Sequence, residues 1–133
     1  MKPESFVTQS LGTLELGTSG SYEPINENRG RFHYEPCSGD PAAWTALIDS
    51  RVPDLNSNWR NFLARGSARV SAALAEQGHS YEDAAPSLKL RHIALKDNGG
   101  ARLEFDFGPS EDSYYLEVLV DESNRLTEAR LNR

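Results

Sequence analysis

The residues with the most reactive side chains are His33, Cys37, His79 and His92, and they are scattered along the chain. No HxxxH, HExxH, CxxC or HxH spacing joins them, and one cysteine cannot complete a thiolate-rich zinc site, so no metal and no cofactor is expected. Cys37 and His33 can be drawn as a nucleophile and its base, because Cys37 precedes a helix start whose dipole would lower its pKa. The pair matches no local signature of cysteine enzymes. Gly17-Thr18-Ser19-Gly20-Ser21 follows a strand and invites comparison with a phosphate cradle, but it has neither the Walker lysine nor GxGxxG and reads as a turn. His92 lies in a strand, in phase with Leu88, Leu90 and Ala94, where a histidine is ordinarily structural.

The carboxylates are more numerous. Glu104 and Asp106 stand two apart, so they share one face of a strand and have the spacing of an acid and base pair. Opposite Leu103, Phe105 and Phe107, they read more simply as the solvated side of a sheet. Tyr114 and Tyr115 face opposite ways; one ring belongs to the core and the other lies outside, near Glu111, Asp112 and Glu117. An exposed tyrosine ringed by carboxylates has the composition of a protein-binding hot spot that attracts a basic partner. No catalytic set emerges, and the chain is not expected to be an enzyme.

The elements that would position these residues follow from periodicity. Thr13-Leu14-Glu15-Leu16 and Gly30-Arg31-Phe32-His33-Tyr34-Glu35 predict an N-terminal β-hairpin, with Tyr22-Glu23-Pro24-Ile25 in or near it. The first dozen residues are expected to be loosely ordered. Asp40-Pro41 is a helix start, with an N-cap acid followed by a proline whose missing N–H costs nothing there. Trp44, Leu47, Ile48 and Arg51 make a short helix that Pro53 closes. A long helix begins near Asp54, with Leu55, Trp59, Phe62, Leu63, Gly66, Val70, Ala73 and Leu74 on one stripe and Gly78 as its terminator. Four strands then form an antiparallel meander: 88–95, 101–107, 114–120 and 126–131, with Asp97-Asn98-Gly99-Gly100 as the strongest turn. The expectation is one α+β domain spanning 1–133, with one continuous sheet of about six strands and both helices on one face.

Composition sets limits on function. The chain has 133 residues, 38% of them hydrophobic and 26% charged, and a formal net charge of −6. That is enough apolar content for one core. Acids predominate at both ends of the chain, where residues 101–133 hold Glu104, Asp106, Glu111, Asp112, Glu117, Asp121, Glu122 and Glu128 against Arg102, Arg125, Arg130 and Arg133. A field of that sign repels nucleic acid and anionic membranes and steers basic partners. The opening Met1-Lys2-Pro3-Glu4-Ser5-Phe6-Val7 does not read as a signal peptide, and a cytoplasmic location is expected.

The order of segments also carries a resemblance. The hairpin ending in Gly30-Arg31-Phe32-His33-Tyr34, the Asp40-Pro41 helix, the long helix and the closing Glu111-Asp112-Ser113-Tyr114-Tyr115-Leu116-Glu117-Val118-Leu119-Val120-Asp121 resemble small bacterial immunity proteins of contact-dependent and polymorphic toxin systems. What the resemblance implies is a monomer or weak dimer that binds a cognate, basic toxin domain, commonly a nuclease, and neutralises it. The acidity argument places that contact at Glu104, Asp106, Glu111, Asp112, Tyr115, Glu117, Asp121 and Glu122. A non-enzymatic adaptor and a small hydrolase gathering His33, Cys37 or His92 with carboxylates stay open as other readings.

Overall fold

A computed structural model of the chain describes residues 2–36, 39–107 and 114–132. Cys37 and the Glu111-Asp112 pair lie outside the described residues. Four strands, β1 (Ser5–Thr8), β2 (Gly12–Leu16), β3 (Tyr22–Pro24) and β4 (Phe32–Glu35), precede the helices α1 (Pro41–Arg65), α2 (Ser67–Ala75) and α3 (Tyr81–Ala84). A 3₁₀ turn at Ala85–Ser87 leads to β5 (Lys89–Lys96), β6 (Ala101–Asp106), β7 (Tyr115–Val120) and β8 (Leu126–Asn132).

All eight strands form one sheet in chain order, and every neighbouring pair is antiparallel except β4 and β5. Those two run parallel, with Phe32 opposite Ile93 and Tyr34 opposite Leu95. A parallel join needs a long crossover, and the helices supply it. The sheet is therefore continuous, as expected, but has eight strands where about six were read. The two extra strands are β1, within residues expected to be loosely ordered, and β3, three residues ending in a proline. Segments that short carry too little alternation to register as strands, and pairing with β2 holds both in place.

The helices also differ from expectation. Pro53 lies inside α1, which runs unbroken for 25 residues, instead of separating a short helix from a long one. Trp44, Ile48, Val52, Leu55, Trp59, Phe62 and Leu63 make one buried stripe along α1 on both sides of the proline, whose own ring is exposed. A proline in a helix interior costs about 3 kcal/mol. Burying each large apolar side chain returns about 1.5–3 kcal/mol, so the continuous stripe outweighs the lost hydrogen bond. The break comes at Gly66, which the sequence reading placed within the stripe. A Cβ there would stand 2.8 Å from the Leu126 Cβ, so the chain passes β8 at a distance only glycine permits. Gly78 adopts a φ of 75° beyond α2, and the His79 N–H closes the end by donating to the Leu74 carbonyl at 3.0 Å.

The helices cover the sheet face that carries Leu14, Tyr22, Tyr34, Leu95, Leu103, Phe105, Leu116 and Val118, all fully buried. Phe6 packs edge to face on both Tyr22 and Trp44 at one end, and Trp59 packs on Phe105 further along. Two polar side chains of α1 fix its height over the sheet. The Asp49 carboxylate accepts from the Gln9 and Ser10 N–H groups and the Ser10 hydroxyl in the β1–β2 turn. Burial works against that carboxylate, yet these hydrogen bonds hold its pKa below the usual range. Arg51, 7% exposed, donates to the Gly99 carbonyl at 3.0 Å, to the Asp121 carbonyl at 3.4 Å and to Asn124 Oδ1. One helix thus grips a turn in each half of the sheet. Among the described residues, no helix is long and apolar enough to cross a membrane.

Candidate functional site: the uncovered face of the sheet

The opposite face carries a polar network, and a β-bulge organises it. Leu90 pairs with Phe105, but the next pair is His92 with Glu104, so Arg91 is extra in β5. A bulge lets two consecutive side chains share a face. Arg91 donates to Asp106 Oδ1 at 3.1 Å and to Glu104 Oε1 at 3.4 Å, and its guanidinium lies 4.2 Å from the centre of the Tyr115 ring. His92 reaches the other way, to His33 on β4. The expectation that His92 shares a face with Leu88 and Leu90 is corrected by this bulge: the residue keeps phase with Ala94 alone. No sequence periodicity survives an inserted residue.

A second set of contacts crosses β6, β7 and β8. Glu117, 5% exposed, accepts from Arg130 Nε and from Asn132 Nδ2, the latter at 3.0 Å. Arg102 Nε lies 3.5 Å from both Glu117 Oε1 and Glu104 Oε2. Glu117 is buried although no helix lies over it; the arginines themselves cover it. Contact with Glu117 raises the pKa of Arg130.

The histidines form a chain of their own. His33 Nε2 is 3.1 Å from Glu35 Oε1, and His33 Nδ1 is 3.1 Å from His92 Nε2. In the neutral pair, His33 donates to the carboxylate, so its Nδ1 accepts from the His92 Nε2–H. That assignment leaves His92 Nδ1 as a bare lone pair, buried, with no hydrogen bond and 3.8 Å from Glu104 Oε2. Burial lowers the pKa of His92, the neighbouring His33 adds to that, Glu104 opposes it, and Arg102 and Arg91 lower it further. A cavity of about 110 Å³ lies on the helix side of the sheet, where Leu11, Val52 and Asn56 meet Phe32, Leu90 and Ile93, and it reaches the chain at Arg91 and His92 from behind. Among the described residues, no group of three or more histidine, cysteine or carboxylate side chains is arranged to hold a metal ion.

The sequence-derived residues therefore divide. Glu104, Asp106, Tyr115 and Glu117 come together on this face, as their alternation implies. They do not make an acidic patch: Glu104, Asp106 and Glu117 are matched by Arg91, Arg102 and Arg130. Asp121 and Glu122 lie apart, in the β7–β8 turn. The Asp121 carboxylate accepts the Arg125 and Ser123 N–H groups at 2.9 Å, bonds that lower its pKa, and its carbonyl serves Arg51. Of the tyrosine pair, Tyr114 packs against the core and Tyr115 lies on the open face. Gly17–Ser21 forms the turn between β2 and β3, closed by the Gly17 N–H donating to the Ser21 carbonyl at 2.8 Å.

Sequence reasoning missed Arg91, Arg102 and Arg130 as members of the site, and also missed that His33 meets His92. A signal existed for Arg102 and Arg130, since each occupies the solvated phase of its strand, Arg130 directly opposite Glu117 and Arg102 diagonal to it. Comparison of the chain with protein-family models, with curated proteins and with solved structures finds no match in any of the three.

Proposed function

We propose that this protein acts by binding another protein over the uncovered face of its sheet, as an immunity protein that occupies and neutralises a toxin domain. One observation carries the reading: the charged side chains of that face are already locked to one another before any partner arrives. Ordering a long side chain at an interface costs about 0.5–1.5 kcal/mol each. Glu117, Glu104, Arg91 and Arg102 have met that cost in folding, and Arg91 stacked on Tyr115 supplies the arginine and aromatic pair in which binding energy concentrates. The alternating charges select a partner by pattern, because a misplaced charge is repelled. Exposed acids at the margin, Glu35, Asp106 and Glu122, give the approach of a basic toxin surface its bias.

The test begins with the gene immediately upstream: where it encodes a large protein with a variable C-terminal domain, that domain is co-expressed with this chain and used in a binding titration. The chain should rescue growth, and Tyr115→Ala combined with Asp106→Lys should weaken binding at least tenfold at low salt while leaving the fold intact. Failure of the unaltered chain to rescue ends the immunity reading; rescue undiminished by the substitutions moves the contact off this face.

A second reading, an acid–base enzyme, rests on the bare His92 Nδ1 beside Glu104. It requires hydrolytic turnover on a panel of ester and phosphoester substrates that disappears in His92→Asn.

A further inference from the structure

We propose that the free edge of β8 joins two copies of this chain, strand to strand, about a two-fold axis at Ala129. The inference is independent of the toxin-binding reading. Among the described residues, β8 pairs with β7 on one side only, and its seven residues contain neither proline nor lysine, the usual guards of an open edge.

Which backbone groups face outward follows from the turn. The Asp121 N–H donates to the Arg125 carbonyl at 2.9 Å, closing the hairpin, and Val120 then pairs with Leu126. A register shift follows, after which Leu119 faces Glu128, Val118 faces Ala129 and Glu117 faces Arg130. Hydrogen-bonded and non-hydrogen-bonded pairs alternate along an antiparallel ladder. Glu128 and Arg130 therefore spend their backbone groups on β7, while Ala129 and Leu131 turn theirs to the free edge. Two edges meeting at Ala129 exchange both N–H···O=C bonds between the two alanines.

Charge selects this register over its neighbours. With the axis at Ala129, Glu128 of each copy falls opposite Arg130 of the other, twice, in the closely spaced kind of pair. An axis at Glu128 sets Glu128 against itself, and one at Arg130 sets two guanidinium groups face to face. A one-residue shift would pair the covered face of one copy with the open face of the other. Arg130 can serve both partners: its side chain is 59% exposed while it holds Glu117. The axis stands perpendicular to the sheet, so both sets of helices lie on one side and the open faces continue from copy to copy. β1, the opposite edge, is only four residues long and carries no such pair.

Sedimentation equilibrium over a concentration series at low salt tests this. A monomer–dimer equilibrium is expected, with Glu128→Arg raising the dimer dissociation constant at least tenfold and Ala129→Pro abolishing dimers. Proline is compatible there because its missing N–H is one that faces outward. Should Ala129→Pro fail to fold, Ala129→Cys in a Cys37→Ser background provides the second route. Facing residues in a hydrogen-bonded pair have Cα atoms about 5.5 Å apart, within disulfide range, so oxidation should give a covalent dimer, whereas Val7→Cys on β1 should not. A chain that stays monomeric at every concentration overturns the proposal. So do open-ended polymers, and so does a dimer indifferent to Glu128→Arg.

Discussion

Arg51 and Glu117 are the two charged residues buried in the described structure, and they are buried differently. Arg51 projects from α1 toward the sheet and divides its guanidinium between backbone carbonyls, Gly99 in one turn and Asp121 in another, and the side chains of Asn124 and Asp54. Glu117 lies on a sheet face without a helix and is held by side chains alone: Arg130, Arg102 and Asn132. Backbone acceptors in fixed turns cannot follow a moving donor, so the Arg51 cluster is a rivet. The Glu117 cluster joins side chains at the surface, so a change there disturbs no turn and no part of the core. Burial of a charge does not by itself say how much the fold depends on it; the kind of partner does.

The contrast is open to measurement, beginning with the largest expected effect. Arg51→Ala leaves the Gly99 carbonyl without its donor and takes one donor each from the Asp121 carbonyl and the Asp54 carboxylate, which keep their bonds from Asn124, and denaturant unfolding should show a loss of about 3 kcal/mol. A loss under about 1 kcal/mol would erase the distinction between rivet and lattice. Gly66→Ala drives a Cβ into Leu126 on the covered side and should cost about 1–3 kcal/mol, because neither the helix nor β8 can withdraw without disturbing the core. A smaller penalty would mean that the helix–sheet contact is looser than its spacing. Glu117→Gln keeps the shape of the open-face cluster and removes its charge. About 1 kcal/mol is expected, since Arg130 can turn to solvent, and a cost equal to that of Arg51→Ala would make both clusters structural.

The smallest effect concerns pH. The folded state lowers the pKa of His92 from its ordinary 6.5, so folding disfavours the protonated ring and the unfolded chain binds the extra proton. The contribution of His92 to stability is then complete above pH 6.5 and is lost as pH falls from there through the folded-state value. Chemical denaturation at a series of pH values should show that decline in the unaltered chain and a shallower one in His92→Gln. An identical slope in both would remove His92 from the titration of the open face.

The strands 101–107 and 114–120, the Asn-Gly turn and the Asp40-Pro41 helix start were all legible because each rests on local rules: alternation, turn chemistry and capping. Pro53 was misread for the same reason. A local rule ends a helix at proline, while the stripe from Trp44 to Leu63 that overrides it gains its energy only when a sheet lies beneath. Of the site residues, Glu104, Asp106, Tyr115 and Glu117 were placed on one face by counting in twos. Arg102 falls on that face by the same count, but Arg91 and Arg130 were not placed there, because a cross-strand pair depends on register, and the Arg91 bulge changes register by one residue.

By itself, then, the amino-acid order determined an α+β chain with amphipathic helix between Asp40 and Gly78, a C-terminal set of antiparallel strands and a solvated phase rich in glutamate and aspartate. Only the tertiary structure decided that the sheet has eight strands with one parallel join, that α1 passes through its proline, and that the expected acidic face is neutralised by Arg91, Arg102 and Arg130. The reason is range. Periodicity and capping act within a few residues, whereas the pairing of His33 with His92, of Glu117 with Arg130 and of Arg51 with two distant turns depends on which strands the core brings side by side.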